Sequence, residues 1–135
     1  MIVGIGEDIV DIRRIEKIYV RHGRRFLDRC FTTCEQAKAE SRARGGGKYA
    51  TLAKRFAAKE ALVKALGTGF STGISFQDIE IDNNPEGRPF FNLKEGVRKK
   101  LEDRIPSGCF GKIHLTLSDE PPLAKALVII EAVDN

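Results

Sequence analysis

The sequence predicts an α+β domain in which a mainly antiparallel sheet packs against one long central helix. Three observations carry that prediction. From Lys48 to Leu66 every residue is a tolerable helix former, and Gly67-Thr68-Gly69 supplies the stop. Two pairs of segments, 76–82 with 89–93 and 113–118 with 124–133, flank clusters of turn formers and read as hairpins. The 135 residues, 41% hydrophobic and 31% charged, make one globular domain (1–135) with enough apolar material for a single core.

Residues 2–10 read as the first strand, with Val3 and Ile5 on one side and Ile2, Gly4, Gly6 and Asp8 on the other, so that a glycine face allows close approach of another element. A basic helix follows and stops near Gly23. After a short segment, Thr32-Thr33-Cys34-Glu35 forms a T-x-x-E capping box that opens a helix to about Ala43, and Gly45-Gly46-Gly47 reads as a flexible hinge. Beyond the central helix, Asn83-Asn84-Pro85-Glu86-Gly87 turns the first hairpin, Lys94 to Arg104 is a short amphipathic helix, and Asp119-Glu120-Pro121-Pro122 turns the second.

Several function classes fall away on composition. The longest aliphatic run, Ala126 to Ile130, is far below the ~20 residues a membrane-spanning helix needs. The N-terminus has no basic or apolar leader, so a cytoplasmic location is expected. Cys30, Cys34 and Cys109 are odd in number and lack metal-site spacing, so they read as free thiols.

Charge is concentrated. The net charge is +4, yet Arg13, Arg14, Lys17, Arg21, Arg24, Arg25 and Arg29 stand against only Glu16 and Asp28, a local +5 that leaves the remainder at −1. On a helical projection Ile12, Ile15, Tyr19 and His22 fall on one side and Arg13, Arg14, Lys17 and Arg21 on the other, with Ile18 at the border as an isolated apolar side chain among cations. A solvated face is one reading, an acidic partner the other. Nucleic acid is disfavoured as that partner, because aromatics are only 7% and the two tyrosines are not interleaved with the run as stacking platforms.

On the central helix Ala53, Phe56, Ala57, Glu60 and Lys64 share one face, opposite Ala58, Leu62 and Leu66. A carboxylate on an apolar stripe costs several kcal/mol unless paired or bound to a cation. Lys64 one turn on offers an ordinary i,i+4 pair. Alternatively Asp8, behind two glycines at a strand end, joins Glu60 as a magnesium site. Glu7 points to the other face and is no ligand. Glycines 67, 69 and 73 with Thr68, Ser71 and Thr72 form a loop that either offers N–H groups to phosphate or simply caps the helix. Lys48, Arg55 and Lys59 lie nearby as cations that solvation would explain equally well.

Gly4-Ile5-Gly6-Glu7-Asp8-Ile9-Val10-Asp11-Ile12, Arg55-Phe56-Ala57-Ala58-Lys59-Glu60-Ala61 and Lys64-Ala65-Leu66-Gly67-Thr68-Gly69 closely resemble the bacterial holo-acyl-carrier-protein synthases, the short 4′-phosphopantetheinyl transferases. Ser75-Phe76-Gln77-Asp78-Ile79-Glu80-Ile81, Gly87-Arg88-Pro89 and His114-Leu115-Thr116-Leu117-Ser118 extend the likeness over nearly the whole chain. The resemblance implies the phosphopantetheinyl transferase fold and a homotrimer with active sites at subunit interfaces. It implies Mg²⁺-dependent transfer of phosphopantetheine from coenzyme A to a serine of acidic acyl carrier protein, in support of fatty acid biosynthesis. Asp8 and Glu60 match the metal ligands, and Glu60 and Lys64 the catalytic pair. Lys48, Arg55, Lys64, Gly67 and Ser71 become the coenzyme A set, and Arg14, Ile18, Arg21 and Arg24 the carrier-binding set. Glu7 and Asp119 depart from the family pattern, standing where many relatives carry Thr or an apolar residue and where some carry a histidine near the substrate.

Overall fold

A computed structural model describes residues 1–70 and 73–135. Strand β1 (Ile2–Asp11) leads directly into helix α1 (Ile12–His22), because Asp11 turns out of the strand and its carboxylate accepts from the Arg13 backbone N–H at 2.9 Å. Gly23 ends α1 at φ 57, its N–H donating to the Tyr19 carbonyl at 2.6 Å. The chain then restarts as helix α2 (Arg24–Cys30), where the sequence reading had only a short segment. Phe26, Leu27 and Cys30 supply its buried face at helical spacing.

Helix α3 (Thr33–Ser41) begins with the expected capping box: Glu35 N–H donates to Thr32 Oγ1 at 3.3 Å and Thr32 N–H to Glu35 Oε1 at 2.8 Å. It stops two residues before Ala43, where a 3-10 turn over Ala43–Gly45 takes over. Gly45-Gly46-Gly47 completes this turn, with Gly46 at φ 76 and Gly47 N–H donating to the Arg42 carbonyl at 3.0 Å.

Helix α4 (Lys48–Leu66) matches its predicted bounds, and Gly67 closes it in the left-handed region with two hydrogen bonds back into the last turn. The first hairpin is β2 (Ile79–Asn83) with β3 (Pro89–Leu93), followed by helix α5 (Glu95–Glu102). The second, β4 (Cys109–Glu120) with β5 (Leu123–Asp134), is longer than expected because its alternation runs to the very edge of the turn. All pairings among the described residues are antiparallel, in a three-stranded sheet of order β1-β5-β4 and a separate two-stranded sheet.

Helix α4 lies across the inner face of the larger sheet. It is buried on nearly every side, from Leu52 and Ala53 through Ala57, Ala58, Ala61 and Leu62 to Ala65 and Leu66. Beneath it β5 offers Ala124, Ala126, Val128 and Ile130, all buried. The contact with β1 is closer still. A Cβ on Gly4 would overlap the Ala65 carbonyl oxygen, and one on Gly6 would overlap the Ala61 carbonyl oxygen and stand 2.7 Å from the Ala65 nitrogen. The element that the glycine face admits is thus α4 itself.

Gly6→Ala is expected to cost about 2 kcal/mol or more, since overpacked sites cost roughly 1–3 kcal/mol and here the neighbour is helix backbone, which cannot step aside. Gly96→Ala, in open space on the exposed helix α5, is the control and should be neutral or stabilising. Urea melts of the two variants check the contrast.

Candidate active site

Strand and helix meet so that side chains far apart in sequence converge. Asp8 is on the inner face of β1, one strand period beyond Gly6, and its side chain is only 17% exposed. Glu60 and Lys64 occupy successive turns of the one strip of α4 that the fold leaves partly open. The Lys64 ammonium donates to Asp8 Oδ1 at 3.0 Å and to the Glu7 carbonyl at 2.9 Å. Glu60 makes no direct hydrogen bond or ion pair among the described residues. The i,i+4 pair with Lys64 is therefore not the arrangement found: Lys64 serves the strand instead. Burial, followed by the charge of Asp8, pushes the Glu60 carboxyl above its ordinary value, while Lys64 and Arg14 pull it down. Asp8, Glu60, Lys64 and Arg14 thus share one electrostatic neighbourhood.

A pair of carboxylates, one of them half-buried and without a protein hydrogen-bond partner among the described residues, is a hard oxygen-donor set that suits a divalent cation. Glu7, as expected, faces away, with Lys125 at 3.4 Å from its carboxylate. Asp119 is held by Lys54 at 2.9 Å. A separate trio, Cys34, Glu80 and Asp82, has its ligand atoms within 4.8 Å of one another, but the Arg55 cation lies in the same field and opposes a bound metal there.

The three further cations each have protein partners, so solvation alone does not explain them. Lys48 pairs with Glu40 at 3.0 Å and sits 4.7 Å from the Tyr19 ring centroid. It lies twelve residues before Glu60, about 18 Å along the axis, so this chain alone does not bring it to the carboxylates. Arg55 is 4% exposed and donates from Nη2 to Asn83 Oδ1 at 2.9 Å, while its Nε has no partner among the described residues. Burial holds its guanidinium below the usual value. Gly67 caps the helix one turn past Lys64, and Ser71 lies outside the described residues.

Lys59 departs furthest from the sequence reading. It is fully buried, and its ammonium donates to Glu35 Oε1 at 2.7 Å, the Cys30 carbonyl at 2.7 Å and the Phe76 carbonyl at 2.9 Å. Glu35 is buried as well, its other oxygen accepting from the Ile81 N–H at 2.9 Å. The capping-box pattern located Glu35 but carried no sign that its second role was to receive a lysine from another helix.

The basic residues of α1 and α2 are all exposed. Arg13 is tied to Asp11 at 2.7 Å and Arg24 reaches Asp28 at 3.8 Å, leaving Arg14 and Arg21 without an ion pair among the described residues. Ile18 is not an isolated apolar side chain: it is half-buried and, with Phe26, Cys30, Phe56 and Phe76, lines an apolar hollow of about 380 Å³ edged by His22, Arg25 and Arg29.

Residues 4–116 match the family described as the 4′-phosphopantetheinyl transferase superfamily. The chain is 52% identical over 133 residues, 98% of its length and 97% of theirs, to the holo-[acyl-carrier-protein] synthases of Brucella ovis and Brucella canis. Its fold superposes on the crystal structure of holo-[acyl-carrier-protein] synthase from Neisseria meningitidis with a TM-score of 0.82 at 37% identity, covering 97% of this chain and 99% of that one. It also superposes on the Helicobacter pylori holo-[acyl-carrier-protein] synthase in complex with coenzyme A, with a TM-score of 0.77 at 31% identity over 94% and 99%.

A raised carboxyl pKa means that the folded protein binds the Glu60 proton more tightly than the unfolded chain does. The resulting penalty is absent below the ordinary value of 4.5 and fully present above the raised one. Without metal or ligand, Glu60→Gln is expected to melt above the native protein at neutral pH, and the two melts to converge as the pH falls below 4.5. Thermal scans across that range check both sign and window.

Proposed function

The chain belongs to the 4′-phosphopantetheinyl transferase superfamily, and from that premise we propose that it moves the 4′-phosphopantetheine group of coenzyme A onto a serine of apo acyl carrier protein. The products are holo carrier for fatty acid biosynthesis and adenosine 3′,5′-bisphosphate. The observation that carries this reading is the convergence of Asp8, Glu60 and Lys64 beside Arg14 of the basic helix.

In this reading Asp8 and Glu60 hold Mg²⁺, which, when bound, neutralises charge on the coenzyme A pyrophosphate. The carrier serine oxygen attacks the phosphorus bearing the pantetheine arm, and the pyrophosphate P–O bond breaks toward the nucleotide, which leaves with the electron pair. Lys64, whose side chain is 52% exposed and whose ammonium already stands against Asp8, stabilises the departing bisphosphate. The serine proton passes to Glu60 through a water, because a carboxylate engaged with a cation is a weak base in direct contact. Lys48, Arg55, Gly67 and Ser71 complete the coenzyme A set across the subunit interfaces of a homotrimer. Support for assembly comes from the outer face of the sheet, where Ile5, Ile9, Phe110 and Leu123 are 64%, 55%, 49% and 46% exposed. In this reading the homotrimer works in the cytoplasm. No helix among the described residues is long and apolar enough to cross a membrane.

The acidic carrier docks on α1 and α2. Arg14, Arg21 and Arg24 attract it, and Ile18 with the hollow beside it receives an apolar side chain of the carrier. A net charge concentrated this way, with few stacking aromatics, fits an acidic protein better than a nucleic acid.

Incubation with apo acyl carrier protein, coenzyme A and Mg²⁺ is expected to add the mass of one phosphopantetheine to the carrier, and an unchanged carrier mass overturns the function. Glu60→Gln, folded by circular dichroism, should lose at least about 100-fold in transfer rate. For docking, Arg14→Glu combined with Arg21→Glu is expected to raise the KM for carrier about tenfold or more while the KM for coenzyme A stays nearly constant. Steady-state kinetics at two salt concentrations read this out, and equal changes in both constants contradict the docking face.

A further inference from the structure

A buried lysine serves no purpose in the transfer chemistry above, yet it is among the most completely bonded groups in the molecule. Its three donor positions are all used, two of them on backbone carbonyls and one on Glu35. The two carbonyls belong to Cys30 and Phe76, and both residues line the apolar hollow beside Ile18. Cys30 ends α2 and Phe76 opens the 3-10 turn before β2, so Lys59 fastens two separately folded walls of one hollow to the helix that carries Glu60. Phe56, one turn before Glu60 on α4, lines the same hollow and stacks on Phe76 with ring centroids 5.2 Å apart. Glu35 makes the arrangement affordable in a dry interior: it balances the ammonium while its remaining lone pairs take the N–H groups of Thr32 and Ile81.

We propose that Lys59 is a positioning residue for carrier recognition, holding the Cys30 and Phe76 walls of the hollow at the spacing that admits the carrier's apolar side chain, with Glu35 as its fixed counter-charge. The proposal rests on the docking reading given above. Without the ammonium, the two walls keep their own helical turns but lose their common anchor. The penalty then falls on carrier binding, leaving coenzyme A binding and the chemical step largely intact. Gln77 ties the same segments at the rim through its amide, 2.6 Å from each of the Asp28 and Phe31 carbonyls. Loosening, short of collapse, is therefore expected of a Lys59 variant.

The test is steady-state kinetics of the full-length enzyme with both substrates. Lys59→Met should raise the KM for carrier about tenfold, with the KM for coenzyme A and kcat within about twofold. Val97→Ala, a buried position on α5 away from the hollow, controls for lost stability and should alter neither KM. If Lys59→Met does not fold, Lys59→Arg, which retains the cation but displaces the walls, takes its place and should show the same split at about threefold. A variant that changes both KM values together, or neither, overturns the proposal. A native enzyme that leaves the carrier mass unchanged refutes the function instead, so the two failures are distinguishable.

Discussion

The separation between β1 and α4 is the constraint on which the site depends. Gly4 and Gly6 bring strand backbone against the carbonyls of Ala65 and Ala61 with no side chain between. Asp8 follows on the same face, and Glu60 and Lys64 flank those alanines on the helix. The distance from strand to helix therefore sets how near the carboxylates come, and it cannot widen without breaking packing that runs through Ala126, Val128 and Ile130 beneath. That closeness carries a penalty in the isolated protein, visible as the upward push on the Glu60 carboxyl and partly relieved by the Lys64 ammonium on Asp8. Acidic groups held near one another by a rigid scaffold repel, and any cation drawn between them relieves that repulsion.

Much of this was legible in the chain itself. Period-two alternation located the strands, the run from Lys48 to Leu66 located α4 to the residue, and paired glycines ahead of Asp8 signalled close approach. Glu60 stood out as an acid among apolar neighbours. What was not legible followed from tertiary geometry. The burial of Lys59 and Arg55 was not legible, because nothing local distinguishes a lysine that will find Glu35, or an arginine that will find Asn83, from one that meets only water. Helical spacing offered Lys64 to Glu60 as one of two alternatives, whereas the strand end gives it Asp8 and a carbonyl together, a better partner than a side chain one turn away. Helix α2 went unseen because Gly23 breaks a helix and at the same time permits the next to begin.

Polar groups inside this domain divide labour by depth. At the surface, the Arg13–Asp11 and Arg24–Asp28 pairs trim the basic face without neutralising it. In the interior, the Lys59–Glu35 pair is fully desolvated and fully bonded, and its value lies in the elements it connects: α2, α3, α4 and the approach to β2. Between these extremes sits the half-buried strip with Glu60 and Phe56, where apolar and ionic surface adjoin.

The segregation of charge has one more consequence. With a net +5 held between Arg13 and Arg29 and −1 distributed over everything else, the molecule carries a permanent electric moment. In the field of an anionic protein it experiences a torque as well as a pull, and it rotates during approach so that α1 and α2 lead. Encounters that begin in the wrong orientation are corrected in flight, before the two surfaces touch.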